Sequence, residues 1–130
     1  MDGSQKPAYL VVDTEKQAFW TALQRRLTTD VESLPDTDFF GTITPFVGGV
    51  RITLNRPGMA FNQTYTDVFY KPELREIRCS VLNSAPYTLR FCVAPGNQVA
   101  VTTTLGAGQM NADQASQHIV KLMLDVMSRK

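Results

Sequence analysis

The stretch TTTLGAGQMNADQASQHIVK, residues 102–121, decides the fold, because it admits two readings. A β-rich run passes through Gly106 and Gly108 into a helical pattern, the order of parts in a dinucleotide-binding loop. That loop needs a third small residue, a helix within a βαβ unit, and a returning parallel strand with an acidic residue. Asn111 stands at the third position, and only one helical pattern follows before Lys130, so no returning strand fits. Asp125 lies at a suitable distance but in mid-helix. The loop therefore reads as a corner, and the runs before it are joined by tight turns, which build antiparallel sheets.

Working back from that corner, residues 38–105 carry a period of two. FFGTITPFV and VRITLNR flank Gly48-Gly49 as a hairpin, with Ile43 expected opposite Leu54 and Pro45 opposite Ile52. Pro45 lacks a donor, which places its strand at an edge or a bulge. Arg56-Pro57-Gly58 reads as the next turn. AFNQTYTDVFY (60–70) puts Phe61, Gln63, Tyr65, Asp67 and Phe69 on one face. LREIRCSVLN and YTLRFCVAP flank Ser84-Ala85-Pro86, and pairing Ile77 with Val93, Cys79 with Phe91 and Val81 with Leu89 gathers the large apolar residues on one face. APGNQ turns into the last long strand, pairing Val93 with Val99, Phe91 with Val101 and Tyr87 with Leu105.

Two helices bracket this meander. AYLVV (8–12) reads as a short strand after a loose tail of residues 1–7. Thr14 and Gln17 then fit a capping box, with Phe19, Trp20, Leu23, Leu27 and Val31 at helical spacing. The region around Pro35 ends this helix. The last helix spans about 112–129: Asn111 is its N-cap, Gln114 completes a capping box, and Ala115, Ile119, Leu122, Met123, Val126 and Met127 form its stripe. Arg129 and Lys130 suit its C-terminal dipole. The fold class is α+β, a six- to seven-stranded curved antiparallel sheet packed on a long C-terminal helix plus an N-terminal helix, with residues 8–130 as one domain.

The totals limit function. With 130 residues, 43% hydrophobic and 19% charged, the chain is an ordinary globular one. A net charge of +1 without a basic run argues against a nucleic-acid partner and against a polybasic membrane patch. No apolar run approaches the roughly 20 residues of a transmembrane span. The acid at position 2 and the short apolar run of the N-terminus do not make a secretory signal, so the expected location is cytoplasmic. Neither a cofactor nor a metal is expected. Cys79 and Cys92 fall on opposite faces of their strands and read as free thiols: Cys79 a core residue, Cys92 a surface thiol beside Arg78 and Arg90, which would lower its pKa slightly. His118 is the single histidine, a half-exposed residue at the margin of the last helix's stripe. No catalytic set emerges.

The polar groups expected on or near the apolar sheet face are Tyr65, Arg75, Tyr87 and Thr103, together with Gln63 and Asp67. They line a small-molecule pocket or, for Arg75 and Tyr87, sit at strand ends with their tips in water.

The order strand, helix, antiparallel meander, long helix resembles the START/Bet v1-like helix-grip superfamily. VVDTEKQAFWTALQR is similar to the opening strand and helix, ESLPDTDFF to the loop that follows, and YTLRFCVAPGNQVAVTTTLG to the penultimate hairpin. The resemblance implies an apolar ligand held between the curved sheet and the C-terminal helix, with Tyr65, Arg75, Tyr87, Phe91, Thr103, Met123 and Met127 on its wall. The alternative is a sheet plugged by its own helices. The chain would then act as a non-enzymatic interaction or chaperone-like module, through a homodimer or an exposed sheet edge.

Overall fold

The computed structural model describes residues 7–34, 39–56, 63–106 and 108–128. The expected loose tail (all but Pro7), Pro35, the turn at Pro57-Gly58, Phe61 and the terminal Arg129 and Lys130 lie outside the described residues; the first helix ends at Glu32, within the stretch around Pro35 expected to end it. Helix α1 (Ala8–Glu32) comes first. Strands β1 (Phe40–Phe46), β2 (Gly49–Asn55), β3 (Gln63–Lys71), β4 (Glu76–Val81), β5 (Tyr87–Ala94), β6 (Gln98–Thr103) and the two-residue β7 (Gln109–Met110) follow, and helix α2 (Ala112–Ser128) closes the order. The seven strands lie in sequence order in one antiparallel sheet, curved as a half-barrel.

Residues 8–12 are helix rather than strand. Pro7 caps α1, where its missing N–H costs nothing. Thr14 lies inside the helix, its hydroxyl donating to the Leu10 carbonyl at 2.7 Å instead of capping a new start. The reason is the stripe. Val12 lies two helical turns before Phe19, so the buried face of Phe19, Trp20, Leu23, Leu27 and Val31 extends back through it.

Two hairpins have registers other than those the apolar pattern suggests. Ile43 faces Ile52 and Pro45 faces Val50, around a Val47-Gly48 turn in which Gly48 takes φ 86°. Ile77 faces Leu89 and Cys79 faces Tyr87, four residues from the expected partners. Both shifts are even, so every side chain keeps its face. This is why the pattern fixed the faces while leaving the loop lengths open. Between β5 and β6 the expected pairs hold: Phe91 faces Val101 and Val93 faces Val99. That ladder stops at Leu89 opposite Thr103, short of Tyr87 and Leu105.

The two glycines of residues 102–121 form a corner. Gly106 and Gly108 take φ of 81° and 78°, a left-handed path that lets the chain double back so that β7 lies antiparallel on β6. Asn111 and Gln114 then form the expected reciprocal box: the Asn111 N–H donates to Gln114 Oε1 at 2.9 Å and the Gln114 N–H to Asn111 Oδ1 at 2.8 Å.

Both helices pack on one sheet face and against each other, α1 over β1, β5 and β6 and α2 over β3. Under α1, Trp20 stacks on Tyr70 with centroids 5.2 Å apart, and Phe19 meets Phe91 edge-on at 5.4 Å. The helix seam carries polar contacts: the buried Ser116 hydroxyl donates to Asp30 Oδ2 at 2.7 Å, while Arg26 donates to the other oxygen at 2.9 Å and reaches Asp113 of α2 at 3.5 Å. Ser116 and Val120 are buried in addition to the expected stripe, and Leu122 and Val126 move to its margin.

Candidate functional site

The sequence-derived wall residues separate in the structure. Tyr87, Phe91, Thr103, Met123 and Met127 are buried on the helix-covered side. Tyr65 lies on the opposite, outer face with Gln63, Asp67 and Phe69, because β3 turns Thr64, Thr66 and Val68 inward. There Asp67 takes a bidentate pair from its cross-strand partner Arg51 at 2.7 and 2.9 Å, and that guanidinium lies 4.0 Å from the centre of the Tyr65 ring. Arg75 is also off the inner face. It ends the single 3₁₀ turn Pro72–Leu74 in a left-handed conformation, φ 52°, and is exposed. Its guanidinium donates two 2.8 Å bonds to Asp13 of α1, and Lys16 adds bonds to Asp13 and to the Pro72 carbonyl. Arg75 and Lys16 hold the Asp13 carboxyl well below the usual carboxylate range. The cluster fastens α1 to the β3–β4 connection.

Of the inner residues, Phe91 belongs to the aromatic cluster under α1, and Met123 and Met127 are fully enclosed. Tyr87 reaches a cleft. Val81, the Ser84-Ala85 turn, Tyr87, Leu105, Leu122 and Val126 line a recess of about 210 Å³ between α2 and the end of the β4–β5 hairpin. Larger hollows, of about 400 Å³ beside Phe19 and the β5–β6 turn and about 470 and 300 Å³ on the outer sheet face, lie elsewhere.

The chemistry around this recess differs from that of the rest of the core. The Tyr87 hydroxyl is buried beside the Cys79 thiol, a weak acceptor, and finds no hydrogen-bond partner of acceptable geometry among the described residues. Burial drives its pKa far above the ordinary phenol value, and the thiol adds to the shift. His118 packs edge-on to the Tyr87 ring, centroids 6.1 Å apart, with Nε2 buried and also unpartnered. Burial first, and Lys121 second, lower the His118 pKa, which keeps the imidazole neutral at pH 7. Thr64 and Thr66 add two further buried hydroxyls without partners on the inner face of β3, and Thr66 faces Val81 of the cleft across the strands. Thr103 is satisfied, its hydroxyl accepting the Leu105 N–H at 3.1 Å.

Sequence reasoning missed Thr64 and Thr66, because the aromatic residues of 60–70 drew the inner face to the wrong parity. The signal lay in Arg51 and Asp67, an opposite-charge cross-strand pair suited to an outer face. It placed His118, Leu122 and Val126, spaced four apart on α2, in or beside the apolar stripe but did not assign them to a ligand wall.

The two cysteines are free. Burial pushes the Cys79 thiol up to about 12. Cys92 is raised as well, by partial burial, and not lowered by its arginine neighbours; Arg78 spends its charge on Glu76 at 2.7 Å. No cluster of His, Cys, Asp and Glu suited to a metal ion occurs among the described residues, and none of their helices is long and apolar enough to cross a membrane. No family model, curated protein or solved structure significantly matches this chain.

Proposed function

We propose that this chain binds a small molecule with an apolar body and one polar end, in the cleft between α2 and the β4–β5 hairpin. The observation that carries the reading is Tyr87: a buried hydroxyl whose one polar neighbour among the described residues is the weakly accepting Cys79 sulfur, on the side chain that lines the cleft. A buried hydroxyl held by so weak an acceptor forgoes part of the roughly 1–3 kcal/mol that an unmade hydrogen bond costs, and a stronger acceptor or donor brought by a ligand would recover that part. Neutral His118 behind the ring offers a second polar atom, and Val81, Leu105, Leu122 and Val126 supply the apolar wall. At about 210 Å³ the recess holds the volume of roughly seven waters, so a larger ligand projects outward past the exposed Leu105. The seam of sheet and C-terminal helix is also where the helix-grip resemblance would put a ligand.

Native mass spectrometry of the undenatured protein tests this, alongside Val126→Trp, which fills the cleft from its rim, and Tyr87→Phe. The expected result is a small-molecule adduct, or saturable binding of an apolar fluorescent probe, that V126W abolishes and Y87F weakens. Equal binding by wild type and V126W refutes the site.

A further inference from the structure

Strand β1 forms one edge of the sheet, and among the described residues no strand pairs with its outer side. Edges of this kind are usually blunted by charge, shortness or a bulge. The opposite edge, β7, is two residues long. β1 is seven residues, FGTITPF, and carries no charged side chain. Pro45 is its one protective device.

The ladder with β2 sets which backbone groups are free. Pro45 cannot donate, so its pair with Val50 is one without mutual hydrogen bonds, and pairs alternate along an antiparallel ladder. The N–H and C=O groups of Gly41 and Ile43 therefore point away from β2, together with the Pro45 carbonyl.

The side chains carry a further regularity. Read outward from Ile43, the strand is Thr42 and Thr44, then Gly41 and Pro45, then Phe40 and Phe46. Apart from the Gly–Pro pair it is a palindrome. A two-fold axis through Ile43 would place Ile43 against Ile43, Thr42 against Thr44 and Phe40 against Phe46 of another copy. Thr–Thr and aromatic–aromatic pairs are among the favourable cross-strand combinations. Gly41 and Ile43 each donate in this register, and the missing donor of Pro45 leaves only the Gly41 carbonyl of the other copy unanswered. Phe40 is 52% exposed and Phe46 37%, on the same outer face as the exposed Thr42 and Thr44. Phe46 is already braced edge-on by Phe69 at 5.4 Å, and both line a hollow of about 470 Å³ that runs inboard from β1 over Arg51 and Asp67.

From this pattern we infer that β1 is a self-pairing edge: two copies of the chain join β1 to β1 about Ile43 and continue the sheet across both. The proposal is independent of the cleft, which lies toward β4, β5 and α2.

Sedimentation at roughly 100 μM, a concentration at which an interface near the small end of specific contacts is populated, should give a species of twice the 14.5 kDa chain mass. Thr42→Lys with Thr44→Lys sets like charges opposite each other and should leave a folded monomer, judged by an unchanged circular-dichroism spectrum. Thr42→Lys with Thr44→Glu sets opposite charges opposite each other and should restore the dimer. Oxidation of the T42C/T44C variant should give a disulfide-linked dimer, which T42C alone should not, because residue 42 faces residue 44 in this register. A monomeric wild type, a dimer unaffected by T42K/T44K, or no cross-linked dimer from T42C/T44C overturns the inference.

Discussion

The interior under α1 and the interior beside α2 are built on different principles. Under α1 the sheet meets Phe19, Trp20, Leu23 and Leu27, a packed apolar and aromatic layer in which Leu23 and Leu27 are fully enclosed. Beside α2, the same sheet presents Thr64 and Thr66 and the helix presents His118, each with a buried polar atom that has no partner among the described residues, and Tyr87, whose hydroxyl has only the weakly accepting Cys79 sulfur beside it. Buried polar groups are nearly always satisfied in native proteins, so these exceptions set the side beside α2 apart from the side under α1. The contrast separates a structural half of the core from a half with unused chemistry.

The largest expected effect comes from breaking the structural half. Leu23→Ala should cost about 2–5 kcal/mol, read as a fall in the denaturant midpoint, because the fully buried site cannot collapse around the loss. On the other side the sign reverses. Thr66→Val, removing an unpartnered hydroxyl at nearly constant shape, should stabilise the free protein by up to about 1–3 kcal/mol in the same assay, and Tyr87→Phe, removing one held only by the Cys79 sulfur, should stabilise it by less. A destabilised Y87F would mean that the hydroxyl has a partner in solution and would remove the basis of the contrast.

Titration sharpens the comparison further. His118 has its folded pKa lowered, so below the ordinary histidine value near 6.5 the unfolded chain binds a proton that the folded chain refuses. Stability from this source is present above that value and lost as the pH falls through it toward the folded pKa. His118→Gln should flatten thermal melting temperature against pH over that window. The thiols give a smaller, chemical readout. A thiol reagent should modify Cys92 alone in native protein and both cysteines in denaturant, since Cys79 is enclosed and its thiolate disfavoured. Smallest of all is Arg75→Ala. The Asp13 pair is exposed, so the melting temperature should shift little at neutral pH, and even that shift should shrink in acid as Asp13 takes up its proton.

Much of this was open to reading in the residues themselves. The alternation of β4, β5 and β6 fixed which side chains face the helices, since a strand's two faces differ by parity, and parity survives an error of two or four residues in register. The stripes of α1 and α2, and the Asn111–Gln114 box, follow from local spacing and local hydrogen bonds. The edge position of β1 was announced by Pro45, whose missing donor is a covalent fact. Of the expected wall, Tyr87, Phe91, Thr103, Met123 and Met127 lie on the helix-covered side because they belong to such patterns.

What only the tertiary structure decided are relations between segments distant in the chain. Asp13 meets Arg75 across 62 positions, and Asp30 meets Ser116 across 86. In β3, Arg51 meeting Asp67 goes with the outward parity of Tyr65 and Asp67. Periodicity carries information about one element and its two faces. Which charge meets which, and which buried hydroxyl is left without a partner, depends on where several elements come to rest together.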